Sequence, residues 1–195
     1  MEDKYSFLYL YHNQLNMKKE AIANLLEEKH TILFNWLENS PKDHWEKGPK
    51  DKWTVGQQIL HLTDSLQLLN NALSYPRFFL KYKFGTCNRE PRDYKTVAEK
   101  YQQKLKENKE RARVFNQKLK KPLLKDRKRL LTKLQIQSKK LQYKLLKISD
   151  INLDTLVIPH PLMGKMTIRE IIMWTAHHTE HHTEILQKHY GEKNN

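Results

Sequence analysis

The sequence is read as an all-α protein, arranged as an antiparallel four-helix bundle, and three observations lead to the all-α class. Apolar residues recur mostly at steps of three and four, the period of one helix face. Glycine is scarce, with five in 195 residues, which disfavours a turn-rich β fold. Two capping boxes, Thr54 with Gln57 and Thr167 with Glu170, mark helix starts, because hydroxyl and carboxylate or amide reciprocally satisfy amide groups that a first turn leaves unpaired. At this length the chain, residues 1–195, reads as one domain with a sizeable core.

The first helix is expected from about Leu15 to Leu37, with Leu15, Ile22, Leu25, Leu26, Leu33, Trp36 and Leu37 as its stripe, and Asn39-Ser40-Pro41 stops it. A polar loop leads to the capping box at Thr54. The second helix runs from there to about Ser74 on Val55, Ile59, Leu62, Leu66, Leu69 and Leu73, with His61 at the stripe's edge beside Gln58 and Ser65. Tyr75-Pro76 ends it, and Arg77 to Phe84 reads as an aromatic, basic connector closed by Gly85. From Tyr94 the pattern Val97, Tyr101, Leu105, Ala112, Phe115, Leu119 predicts an extended third helix, which Pro122 must break or kink. Leu123 to Ile148 continues as another amphipathic stretch on Leu131, Leu134, Leu141, Leu145 and Ile148, so residues 95–148 form a basic helical elaboration. Asp150 to Ile158 reads as an extended link. Two prolines and a glycine then exclude regular helix until the terminal one, Thr167 to Tyr190, which Gly191 ends.

The net charge is +14, and its placement is informative. Lys100 to Lys147 holds 18 Lys/Arg against Glu107, Glu110 and Asp126, leaving the remainder of the chain near neutrality. With only Tyr101, Phe115 and Tyr143 interleaved, this block reads as a solvated helical face, and no specific nucleic-acid partner is expected. The one cysteine, Cys87, cannot form an internal disulfide. The apolar, aromatic run Tyr5 to Tyr11 lacks the basic flank and cleavage site of a signal peptide, and no run approaches the ~18 apolar residues of a membrane span. A soluble, cytoplasmic protein without a membrane partner is therefore expected.

The terminal helix carries the chemistry. His177, His178, His181 and His182 fall within six residues and make two pairs spaced four apart, so the imidazoles of either pair can converge on one ion. The run His177 to His181 also spells H-x-x-E-H, the inverted zinc-protease signature, and the chain is short for that class. H-E-x-x-H is absent, and Glu27 with His30 forms the single helical Glu-x-x-His, where a di-iron bundle needs it paired across helices. No phosphate-binding glycine loop or serine elbow is present. Cys87 reads as structural or incidental rather than a nucleophile.

Three stretches, W-T-V-G-Q-Q-I-L-H-L (Trp53 to Leu62), P-H-P-L-M-G-K-M-T (Pro159 to Thr167) and H-T-E-H-H-T-E-I-L (His178 to Leu186), in this order resemble the DinB-like superfamily. The resemblance spans about residues 15–190. It implies a four-helix bundle holding one divalent ion, Zn, Ni, Mn or Fe, on three histidines, one from the second helix and two, four apart, from the last. It also implies a small-molecule substrate, thiol S-transfer with a low-molecular-weight thiol such as bacillithiol, and commonly a homodimer. A metal-dependent hydrolase and a non-enzymatic stress-response or partner-binding module are the alternatives. The chain departs from the family in its basic segment, its aromatic N-terminal extension and its doubled histidines.

Helix phase selects the pair. Ile168, Ile171, Thr175, His178, His182, Ile185 and His189 share one face, expected to meet the core. Glu170, Trp174, His177, His181, Glu184 and Lys188 share another, expected to meet water or back the ligands. The ligand set expected is thus His61, His178 and His182. Metal affinity should then fall as pH drops through roughly 6.5, the unperturbed histidine value.

Overall fold

A computed structural model describes residues 17–110 and 119–191. Within them lie seven α-helices: α1 (Lys19–Asn39), α2 (Val55–Ala72), α3 (Arg77–Phe84), α4 (Tyr94–Glu107), α5 (Arg127–Lys147), α6 (Asp150–Thr155) and α7 (Ile168–Tyr190). A hairpin of β1 (Val157–His160) and β2 (Gly164–Thr167) precedes α7. Leu15 and Tyr5 to Tyr11 fall outside the described residues, as do Ala112 and Phe115 of the expected third stripe.

Four of these helices make the bundle, and each turns an apolar stripe inward at the expected period. α1 buries Ile22, Leu26, Leu33 and Leu37; α2 buries Val55, Ile59, Leu62, Leu66 and Leu69; α5 buries Leu130, Leu134, Leu141 and Leu145. At ~25 cal/mol per Å² of apolar surface, such stripes rather than intrinsic propensity hold the helices in place. Both capping boxes are formed. Gly56 admits Trp45, since a Cβ there would stand 2.8 Å from the Trp45 carbonyl oxygen. That contact seats the loop before α2.

Cross-helix contacts fix the directions. Arg127 donates to Leu37 O and Lys19 to Ile148 O, so α1 and α5 are antiparallel. Tyr190 donates to Trp53 O while His61 meets His178, so α2 and α7 are antiparallel too. Asn70 with Gln137 and Ser74 with Lys144 make α2 and α5 parallel; Met17 with Arg169 and Lys29 with Glu180 do the same for α1 and α7. The antiparallel order expected therefore holds for two neighbouring pairs, while the other two run parallel. A long connection is what permits this, because between α2 and α5 the chain must travel back along the bundle.

That return is made by α4. The extended third helix divides: α4 ends at the Asn108 C-cap, and Pro122 lies in a non-helical stretch before the short 3-10 turn Leu124–Asp126 that leads into α5. α5 fills the third bundle position, whereas α4 lies on the outside of α7, burying Val97 and Tyr101. Its start is fastened by Glu170, fully buried, whose carboxylate accepts from Arg89 and Arg92 side chains and from the Arg92 amide.

Two local expectations are corrected. Arg77 to Phe84 is a helix, anchored by buried Leu80 and closed by Gly85 at φ +83°. Eight residues with one inward anchor leave no period to read. Residues 150–155 are helical rather than extended, because Ser149 caps them by accepting from the Asn152 amide. The exposed cations of α5 form the solvated face anticipated for the basic block. No helix among the described residues is long and apolar enough to cross a membrane.

Candidate metal centre

The capping box at Thr54 sets the phase of α2 and puts His61 in its second turn; the box at Thr167 does the same for α7. His61 Nε2 lies 3.0 Å from His178 Nε2, and His182 Nε2 lies 2.9 Å from that same atom. One ligand atom from each falls within 4.8 Å of the others. His178 and His182 are buried, and His61 keeps part of its surface open. The structure thus brings together His61, which the resemblance implied, and the pair His178 and His182, which helix phase selected.

Their environment keeps them neutral. Burial pushes the His61 pKa down to about 4, with His181 adding to the effect. Burial, then neighbouring imidazoles, holds His178 and His182 well below the ordinary histidine value. His182 Nδ1–H donates to Gln58 Oε1, an acceptor only, so the proton is on Nδ1 and the Nε2 lone pair faces the cluster. His182 therefore cannot donate to His178. If His178 Nε2 bears a proton it can satisfy one of its two neighbours; if not, it opposes the His182 lone pair. A cation among the three lone pairs satisfies all of them, so these residues fit a divalent ion, and neutral imidazole is the form a metal requires.

Aromatic rings wall the centre. Trp174 stacks on His178 with centroids 4.5 Å apart and planes 19° apart, and Trp53 lies nearly parallel to His182 at 6.2 Å. Tyr101 presents its edge to His178 at 6.0 Å, and His160 packs 4.3 Å from Trp174. His160 Nδ1 accepts the amides of Leu162 and Met163, both at 3.1 Å, so its neutral ring carries the proton on Nε2. The Trp174 indole Nε1 is buried with no hydrogen-bond partner among the described residues.

The other pair has a different task. His177 Nε2 and His181 Nδ1 meet the Gln102 amide at 3.1 and 3.4 Å. Glu180, which the inverted zinc-protease reading needs free to activate water, is tied to Lys29 at 2.7 Å and to the Tyr94 hydroxyl at 3.2 Å. The geometry therefore favours a packing contact with α4 over that motif. The face expected to meet water or to back the ligands is largely covered, with Glu170 and Trp174 buried and Trp174 stacked on His178, because α4 lies on it. Glu184 and Lys188 are exposed, whereas Ile185 and His189 are half-buried, and Leu186 and Tyr190 take the inward positions instead. Steps of three and four diverge by about 100° per residue, so a stripe extended by the wrong step drifts off the core.

Sequence reasoning assigned no role at the site to Gln58, Gln102, Trp174, Tyr101 or His160. Gln58 offered a signal, a polar side chain three residues before His61 on an otherwise apolar helix face. His30 is buried with Nδ1 on Leu26 O and joins no Glu-x-x-His partner, and Cys87 is a half-exposed free thiol directed to Arg89 O.

A family model described as the DinB superfamily matches residues 25–186. The chain belongs to the DinB superfamily. Neither the curated proteins nor the solved structures contain a match to it. In this DinB-superfamily chain the matched span takes in the four bundle helices almost whole and all three clustered histidines, together with the crossover helix α4 that covers α7.

Proposed function

We propose that the protein is a divalent-metal-dependent transferase in which His61, His178 and His182 hold Zn, Ni, Mn or Fe, and a low-molecular-weight thiol of the bacillithiol type attacks an electrophilic small molecule. The observation that carries this reading is the meeting of three Nε2 atoms, 2.9 and 3.0 Å apart along the chain of contacts, with His61 on the accessible side. Three protein ligands leave a position for an exogenous one, the arrangement that separates a catalytic from a structural site. A bound divalent ion would lower the pKa of a coordinated thiol so that it stands as thiolate at neutral pH.

The chain's own residues prepare that position. Gln58 fixes the His182 tautomer and orientation, a partner of the kind whose loss costs metal sites about 10- to 100-fold in affinity. Trp53, Trp174 and Tyr101 exclude water from the buried sides. His160 contributes an N–H donor on the hairpin, adjacent to Trp174. The test is elemental analysis of the purified protein joined to an assay with monobromobimane as electrophile. Product formation should require both metal and added thiol and be lost in His61→Ala. Turnover of ester or amide substrates without thiol would replace transfer by hydrolysis, and metal-free protein after loading with all four ions would overturn the centre itself.

A further inference from the structure

At the end of the bundle remote from the histidines lies a cleft of about 420 Å³, within the range of roughly 300–1,000 Å³ of small-ligand sites. Leu80, Ile148, Leu156 and Ile168 line it with aliphatic carbon, and Arg77, Lys144 and Lys147 stand around it. Among the described residues no acidic side chain lines the cleft. Most of its wall comes from residues 65–89 and 127–149, stretches that contain no Asp or Glu, and Leu156 and Ile168 complete it. Lys144 is held by neutral groups, the Asn70 carbonyl and the Ser74 hydroxyl, and Lys147 lies over the Tyr143 ring at 5.7 Å. Burial and the nearby Lys140 both lower the Lys144 pKa, as befits a cation short of counter-charge.

We propose that this cleft binds a single amphiphilic anion, a carboxylate or phosphate on an aliphatic chain, with the chain on the Leu80–Ile168 floor and the anion among Arg77, Lys144 and Lys147. Cations gathered without carboxylates define the charge of the ligand, and the aliphatic floor defines its body. A nucleic-acid strand would use the same cations and could stack on Tyr75 or Tyr143, but it would leave the aliphatic floor of Leu80, Ile148, Leu156 and Ile168 unfilled. Ile168 lines the cleft and His178 follows ten residues later on the same helix, so the metal centre is about 15 Å away. The site does not depend on the function proposed for the histidines.

Calorimetric titration of the full chain with dodecanoate tests the inference, in parallel with dodecanol and with anionic phosphatidylglycerol vesicles. Dodecanoate should bind saturably at one per chain, equally with and without added Zn. Dodecanol, which keeps the chain and lacks the charge, and the variant R77E/K147E should each weaken binding by about tenfold or more. Both substituted residues are exposed, so far-UV circular dichroism should show an unchanged fold. Absence of saturation, equal affinity for dodecanol, or full binding by R77E/K147E would overturn the proposal. Co-sedimentation with vesicles in the absence of dodecanoate binding would also overturn it, by replacing an enclosed site with surface adsorption.

Discussion

The two histidine pairs of α7 offer a decisive perturbation, because they differ by one residue in sequence and by their whole environment in the structure. His178 and His182 turn Nε2 atoms into the cluster with His61, whereas His177 Nε2 and His181 Nδ1 meet the Gln102 amide. With free metal at 100 times Kd, binding stabilises the folded chain by about 2.7 kcal/mol. For a domain of this size each kcal/mol moves Tm by roughly 2–4 °C, so metal should raise Tm by about 5–10 °C. Removing one of three ligands at a cost of about 100-fold leaves metal near Kd, where the stabilisation is only about 0.4 kcal/mol and the rise about 1–2 °C. His61→Ala should show that collapse, and His178→Ala/His182→Ala should show no rise at all. His177→Ala/His181→Ala should retain most of the full rise even if its metal-free Tm is lower, since it loses the Gln102 contacts. The assay is differential scanning fluorimetry with and without Zn, Ni, Mn or Fe, checked by elemental analysis after dialysis. A rise abolished in the 177/181 variant and kept in the 178/182 variant would refute the assignment and restore the inverted zinc-protease reading.

Gln58→Leu keeps the volume near His182 but removes its acceptor, and metal affinity should fall about 10- to 100-fold with little change in far-UV circular dichroism; an unchanged affinity would show that the tautomer is set elsewhere. The pH dependence departs from the sequence expectation of a midpoint near 6.5. His61, His160 and His181 protonate in the folded chain only near 4 and in the unfolded chain near 6.5. Unfolding therefore takes up protons between those values, and metal-free stability should rise with pH across that window by about 1.4 kcal/mol per unit for each such histidine. Metal binding by the folded chain should correspondingly persist to about pH 5, and equilibrium dialysis showing loss through 6.5 would contradict the burial of the centre. Glu170→Gln strands Arg89 and Arg92 beside an uncharged partner, and urea unfolding should show a loss of about 3 kcal/mol, the lower range for breaking a buried ion pair. The ion pair holds the Glu170 carboxyl near 2, so its stabilisation is lost only as pH falls toward that value.

How much of this was legible in the sequence depends on the range of the interaction. Thr54 with Gln57 and Thr167 with Glu170 are three residues apart, and His178 with His182 four apart, so caps and ligand pair are written locally. His61 stands at the edge of the α2 stripe, and only the resemblance of its surrounding motif made it a ligand candidate. Tyr101, Gln102, Arg89 and Arg92 reach α7 across 75 to 81 residues, and nothing local in α7 announces them. Trp174 shows the consequence. On the helix's own period it joins Glu170 and His177 on a polar face, yet it is buried and stacked on His178 because α4 lies over that face. The break at Pro122 was legible in the basic stretch, but no local pattern says that α5 takes a bundle position while α4 lies on the outside of α7.

The crossover also links fold to chemistry. Of 23 residues in α7, 15 are buried, against 5 of 21 in α5, although both are bundle helices. Among the described residues α5 has neighbours on one side, whereas α7 has the bundle on one side and α4 on the other. That second layer is what desolvates the histidines of α7, and desolvation is the largest cause of their lowered pKa values. Neutral imidazoles can stand this close where three protonated rings would repel, and their inward lone pairs leave a position that a cation satisfies. The Glu170 ion pairs pin the start of α4 and so help to hold this cover on α7, which ties the stability of the crossover to the dry environment of the histidines.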